Sequence, residues 1–217
     1  HISLAAHWLI LWCIYLNIKY NINKSILKWS LLIFLSIFIN INIALIIILY
    51  LYLYLAFLII FQKNSDLNKI LLLYLYFTFL ILVFLTLAGF FSISFSNMPE
   101  FGFGYYKSNI LTFFDSEGGI LNLDWSILFK NIYNFSGEEE GFAYLGLSFY
   151  VIFIYLLFRL NYYELFNKQK IFYLTTIIIF LSLSLTNKVN FGTYKLIDVP
   201  LNIYLYGILS FVRASGR

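Results

Sequence analysis

The chain has 217 residues, of which 62% are apolar, 22% aromatic and 11% charged, with a formal net charge of +4. A soluble domain carries roughly 25% charged and about 45–50% apolar residues. So few charges cannot cover a water-facing surface. The composition excludes a soluble enzyme, a nucleic-acid binder and a disulfide scaffold, and it leaves an integral membrane protein.

The net charge speaks to orientation rather than to an acidic partner, because basic residues in membrane proteins mark cytoplasmic loops. The single Cys13 lies in an apolar run and reads as a small buried hydrophobe. The wealth of Ile, Leu, Phe, Tyr, Asn and Lys is that of an AT-rich genome. His1 stands inside an apolar segment without a basic leader, so no signal peptide is read. The chain ends at Arg213-Ala-Ser-Gly-Arg217. Both ends read as cuts through a larger polytopic protein.

A membrane helix needs about 20 mostly apolar residues. The first candidate is Ile2–Tyr20. The next apolar stretch, Trp29–Phe61, would reach about 50 Å as one helix, against a hydrocarbon core of about 30 Å. Asn40 and Asn42 interrupt it, so it is either one long tilted helix or two short helices turning at Asn40-Ile41-Asn42. Leu49–Leu55 alternates Leu and Tyr as a strand would. Both faces are apolar, however, and an open strand in lipid leaves its backbone unpaired, so a helix is expected. Ile70–Ser92 follows, then a polar segment, Ile93–Gly141, then Phe142–Leu160, Ile171–Thr186 and a short Val199–Phe211. The residues Lys188–Asp198 are expected as a loop.

Charges choose between the two readings of the long stretch. Lys19, Lys24 and Lys28 follow the first span, Lys63 and Lys69 the second stretch, and Arg159, Lys168 and Lys170 the Phe142 span. Only Asp66 and Glu164 oppose them there. The polar segment instead collects Glu100, Asp115, Glu117, Asp124, Glu138, Glu139 and Glu140. All three basic loops lie in the cytoplasm only if Trp29–Phe61 goes out and returns. The expected fold is therefore an all-α polytopic bundle, a single membrane domain over 1–217 with about six passes. Its long outer loop spans 93–141, and the polar motifs gather on the outer side.

Few residues can carry chemistry. His7, about one turn into the first span beside Trp8, is either a functional ionisable group or an interfacial histidine. Asn40 and Asn42 satisfy a helix break or bind a polar head group. Gly102 and Gly104 permit tight turns beside Tyr105 and Tyr106, whose flat faces suit sugar rings or the lipid interface. Ser136 with Glu139 fits a capping box, while Glu140 lies at the membrane edge. Arg213 and Arg217, separated by small residues, suit a phosphate or snorkel to the interface. No triad, P-loop or metal-ligand spacing occurs, and no cofactor is implied.

Five stretches carry a resemblance. They are His1–Ile10, Phe103–Leu111, Glu140-Gly-Phe-Ala-Tyr-Leu-Gly146, Leu185-Thr-Asn-Lys-Val-Asn-Phe-Gly192 and Val212–Arg217. In this order they resemble a bacterial multi-pass membrane family known as domain of unknown function 6311, over nearly the whole chain. Its members look like relatives of the C-type (GT-C) membrane glycosyltransferases, which use lipid-linked sugar donors at the outer face. The resemblance implies an inner-membrane protein acting on a polyprenyl-phosphate sugar, with His7, Tyr105, Tyr106, Asn109, Glu140, Tyr144, Arg213 and Arg217 in the binding site. The catalytic acid usual in such enzymes would lie before His1. Where family members show a His-Pro-Tyr-like turn, this chain has Asn40-Ile-Asn42. Two rival readings remain: a transporter or flippase of lipid-linked glycans, and a non-catalytic structural membrane subunit.

Overall fold

In the computed structural model, residues 6–61, 67–92, 109–114, 146–159 and 167–200 are described. They divide between two compact units, His1–Ser94 and Phe95–Arg217.

The first unit is a four-helix bundle of α1 (Trp8–Lys19), α2 (Ile26–Ile39), α3 (Ile41–Phe61) and α4 (Leu67–Leu87). A 3₁₀ turn, Ile22–Lys24, joins α1 to α2. Helices α2 and α3 touch each other and both flanking helices. Their shared core holds Leu9, Leu16, Trp29, Leu32, Ile47, Leu51, Leu55 and Phe77, all fully buried. The Leu/Tyr alternation lies within α3, as a helix.

The long apolar stretch breaks at Asn40. Its backbone is extended there, with φ −157° and ψ 113°. Asn40 supplies three local bonds at the break. The Asn40 N–H donates to Ser36 O, Asn40 O accepts from the Ala44 N–H, and the Asn40 side chain accepts from the Asn42 N–H at 2.9 Å.

Contacts with α4 show that the chain reverses at this point. The Ser30 hydroxyl lies 3.0 Å from the Tyr76 hydroxyl, and Phe34 meets Phe84 at 5.2 Å, so α2 and α4 run parallel. The Tyr52 hydroxyl lies 2.8 Å from Thr78, and the Tyr74 hydroxyl donates to Tyr52 O at 2.9 Å. Ser30 and Tyr52 therefore share one layer against α4. In a straight rod they would stand about 33 Å apart. The hairpin expected from the lysines is the fold of this unit.

Helix α4 buries one stripe, Ile70, Leu73, Phe77 and Ile81, against its neighbours. Its other faces are equally apolar, with Leu75 67% and Phe79 70% exposed. A helix apolar all round, with only one stripe covered by protein, turns the remainder to lipid.

The second unit contains α5 (Leu147–Arg159), α6 (Lys168–Leu185) and a hairpin of β1 (Lys188–Phe191) and β2 (Tyr194–Asp198). The strands pair antiparallel, Lys188 opposite Asp198 and Phe191 opposite Tyr194, with a bulge between Val189 and Asn190. The hairpin corrects the loop expected there. The fold is mostly helical rather than wholly so.

Six full passes are not supported. Among the described residues, three helices are long and apolar enough to cross a membrane: Ile41–Phe61, Leu67–Leu87 and Lys168–Leu185. Helices α1 and α2 are apolar but have 12 and 14 residues. That is about 18 and 21 Å against a core of about 30 Å. Of the expected span Phe142–Leu160, residues 146–159 are described, and Val199–Phe211 lies mostly outside the described residues.

The reversal is testable with single cysteines, since the one native cysteine, Cys13, is buried. Asn23→Cys and Asn68→Cys should react with an impermeant maleimide from the same side of the membrane. Labelling from opposite sides would mean a continuous rod.

Candidate functional site

The most polar interior of the described residues lies in the second unit. Here a short 3₁₀ turn, Ile110–Phe113, packs on β1. Asn109 caps the turn by accepting from the Leu111 N–H at 3.1 Å. The same amide clamps Gly192. Its Oδ1 accepts from the Gly192 N–H and its Nδ2 donates to Gly192 O, both at 2.9 Å. Asn109 is 3% exposed, and Thr112 and Asn190, one from each contacting element, are buried as well.

The local sequence explains why Gly192 is available for this. The two-residue loop Gly192-Thr193 closes the hairpin, with Gly192 at φ +54° and no positive φ at Thr193. That is the type II′ pattern, in which glycine takes the first central position. The open end of the hairpin is tied by Asn187, whose side-chain Nδ2 donates to Val199 O at 2.7 Å while its backbone carbonyl accepts the Val199 N–H. On the other flank, Phe114 stacks on Tyr150 of α5, with centroids 5.1 Å apart and planes 15° apart.

Of the residues expected in a binding site, Asn109 is the one the described part of this unit contains. Its amide is engaged with Gly192 and Leu111, so it acts on the site by holding two distant segments together. Tyr105, Tyr106, Glu140, Tyr144, Arg213 and Arg217 lie outside the described residues, as does the Ser136–Glu139 capping box. His7 belongs to the first unit, immediately before α1, with its side chain exposed. It lies beside Trp8, which stacks on Trp12 at 6.1 Å. Asn40 and Asn42 serve the helix break described above. Among the described residues, no three of His, Cys, Asp and Glu converge.

Sequence reasoning missed the hairpin and with it the clamp on Gly192. The usable signal was a Gly-Thr pair between Val189-Asn-Phe191 and Tyr194-Lys-Leu196.

Fold and site thus define a mostly helical protein with three helices, among the described residues, long and apolar enough to cross a membrane, and a small β-hairpin after the last of them. The family model described as Domain of unknown function (DUF6311) matches residues 1–217, and the chain belongs to that family. No curated protein and no solved structure matches it.

Removal of the clamp should loosen the hairpin without unfolding the bundle. Asn109→Ala leaves the Gly192 backbone groups without their partner, a cost of about 2 kcal/mol. Gly192→Ala puts a side chain at positive φ, at about 1 kcal/mol. Hydrogen exchange should accelerate in 188–198 for both variants, more for Asn109→Ala, with α6 unchanged. Unaltered exchange in the hairpin would show that the clamp does not hold it.

Proposed function

We propose that the protein is a bacterial inner-membrane, GT-C-like glycosyltransferase acting on a polyprenyl-phosphate-linked sugar at the outer face. The Asn109–Gly192 clamp carries this reading. Lys168 and Lys170 open α6, and the hairpin follows its far end. The helix has 18 residues, or about 27 Å, close to the thickness of the hydrocarbon core. If the lysines face the cytoplasm, the hairpin faces outward. The clamp then ties the turn after the Gly–aromatic segment to that same side, where a lipid-linked sugar would be met.

In the proposed reaction an acceptor hydroxyl attacks the anomeric carbon, and the bond from that carbon to the phosphate oxygen breaks. The polyprenyl phosphate departs, and the hydroxyl proton passes to a carboxylate base. Arg213 and Arg217 would hold the phosphate by bidentate contacts, which suit both the bound donor and the departing group. Tyr105 and Tyr106 would stack on sugar or lipid. Glu140 and Tyr144 would line the same pocket.

The test is transfer of radiolabelled sugar from a polyprenyl-phosphate donor by membranes holding the full-length protein. Arg213→Ala should lower product about tenfold or more at equal protein level. Undiminished product overturns the phosphate role. Movement of the intact lipid-linked sugar across the membrane, with no transfer, overturns the enzyme reading in favour of a flippase.

A further inference from the structure

The corner between α1 and α2 concentrates positive charge around one aromatic ring. Lys28 Nζ lies 3.7 Å from the Tyr20 ring centroid, and Lys19 Nζ lies 5.6 Å from the same centroid. Lys19 Nζ also donates to the Tyr15 hydroxyl at 2.6 Å. Tyr15 and Tyr20 meet edge to face at 6.1 Å. The two ammonium groups thus lie within about 10 Å of each other, inside one Debye length at 0.1 M salt.

No carboxylate of this unit is available nearby in sequence. Asp66 is the one acid in residues 1–94, against Lys19, Lys24, Lys28, Lys63 and Lys69. Two cations converging on one ring repel each other, and an anion between them removes that cost. The ring attracts both cations but uses few of their N–H donors, and each ammonium has three.

The corner is also built to hold its shape. The Asn21 side chain accepts from the Asn23 N–H, and the Ser25 hydroxyl donates to Asn21 O at 3.0 Å. Ile22 is buried beneath them.

The immediate neighbours of the two lysines decide the kind of anion. Ile18 is 61% and Leu27 82% exposed, each next to a cation-bearing residue. A charged patch bordered by bare aliphatic side chains matches an amphiphile, with a phosphate for the lysines and acyl chains for the leucine and isoleucine.

We propose that the α1–α2 corner binds the head group of an anionic phospholipid, its phosphate held by Lys19 and Lys28 beside the Tyr20 ring.

The full-length protein, purified in detergent, would be titrated with phosphatidylglycerol, phosphatidylcholine and inorganic phosphate, with binding read by native mass spectrometry. Phosphatidylglycerol should bind well above phosphatidylcholine. Lys19→Gln/Lys28→Gln should weaken it about tenfold. Lys19→Arg/Lys28→Arg and the charge-matched Lys188→Gln/Lys195→Gln should retain it. Equal loss in the Lys188/Lys195 pair would reduce the effect to net charge and overturn the site. Equal binding of phosphatidylcholine overturns the demand for an anionic head group, and binding of inorganic phosphate as tight as the lipid overturns the lipid. If the glutamine pair does not accumulate, the wild-type protein still decides. Its phosphatidylglycerol binding should fall several-fold between about 0.05 and 0.5 M salt, and salt-insensitive binding overturns the proposal.

Discussion

A peptide chain that reverses among apolar residues must pair every backbone group it exposes, because lipid offers none in return. Asn40 goes part of the way toward that constraint with three local bonds, to Ser36, Asn42 and Ala44. The amide side chain supplies the acceptor that the first turn of α3 lacks. Everything else in the first unit follows from the reversal. It sets α2 beside α3, brings Ser30 and Tyr52 into one layer against α4, and leaves the outer faces of α4 to the membrane. The hydroxyl contacts of that layer, Ser30 with Tyr76 and Tyr52 with Thr78, are worth about 0.6 kcal/mol each on average in a membrane. Their value lies in fixing register between helices whose other contacts are interchangeable Leu and Ile.

The second unit solves a different problem with the same amide chemistry. Thr186 leaves α6 at φ +60° and ψ −157°, a region costly for a β-branched residue, on the order of 1–3 kcal/mol. Its Oγ1 accepts from the Lys188 N–H, and the strands that follow hold the exit in place. Asn187 closes the base of the hairpin and Asn109 grips its tip. A sharp exit from a helix is thereby fixed at both ends of the hairpin it feeds. The turn carrying Asn109 is held to the same structure.

Much of this was legible in the residues, for stated reasons. The lysines after the first span and after Phe61 demand an even number of crossings between them, and Asn40-Ile41-Asn42 marks where the break falls. The Leu/Tyr alternation lies within a helix, because period two carries no signal when both faces are apolar. The hairpin was not legible as strands. Its segments are four and five residues long, and β2 is exposed throughout, so burial leaves no alternating pattern in it. Nor could the clamp be read, since Asn109 and Gly192 are 83 positions apart and nothing local marks them as partners. The length of α1 is hidden for the opposite reason. Leu4, Ala5 and Ala6 extend the apolar run ahead of it, so hydrophobicity alone does not show where the helix begins.

Those short helices explain where the lysines must sit. The pairings Ser30 with Tyr76 and Phe34 with Phe84 place the end of α2 at the level of the end of α4. The Asn40 reversal therefore reaches the far end of the bundle. The shortness of α2 is taken up wholly at its start, where Ile26 stands about 10 Å above the first residue of α4. The α1–α2 corner is consequently recessed relative to the α3 and α4 ends. A polar corner at that depth needs long side chains that carry charge back toward water while their stems cover apolar surface. Lys19, Lys24 and Lys28 are such side chains. Exposed Ile18 and Leu27 border these lysines, so a head group that met the charges would also meet aliphatic side chains. The pattern that sets the orientation of the bundle and the pattern that suits an anionic lipid are thus one consequence of a helix too short for its neighbours.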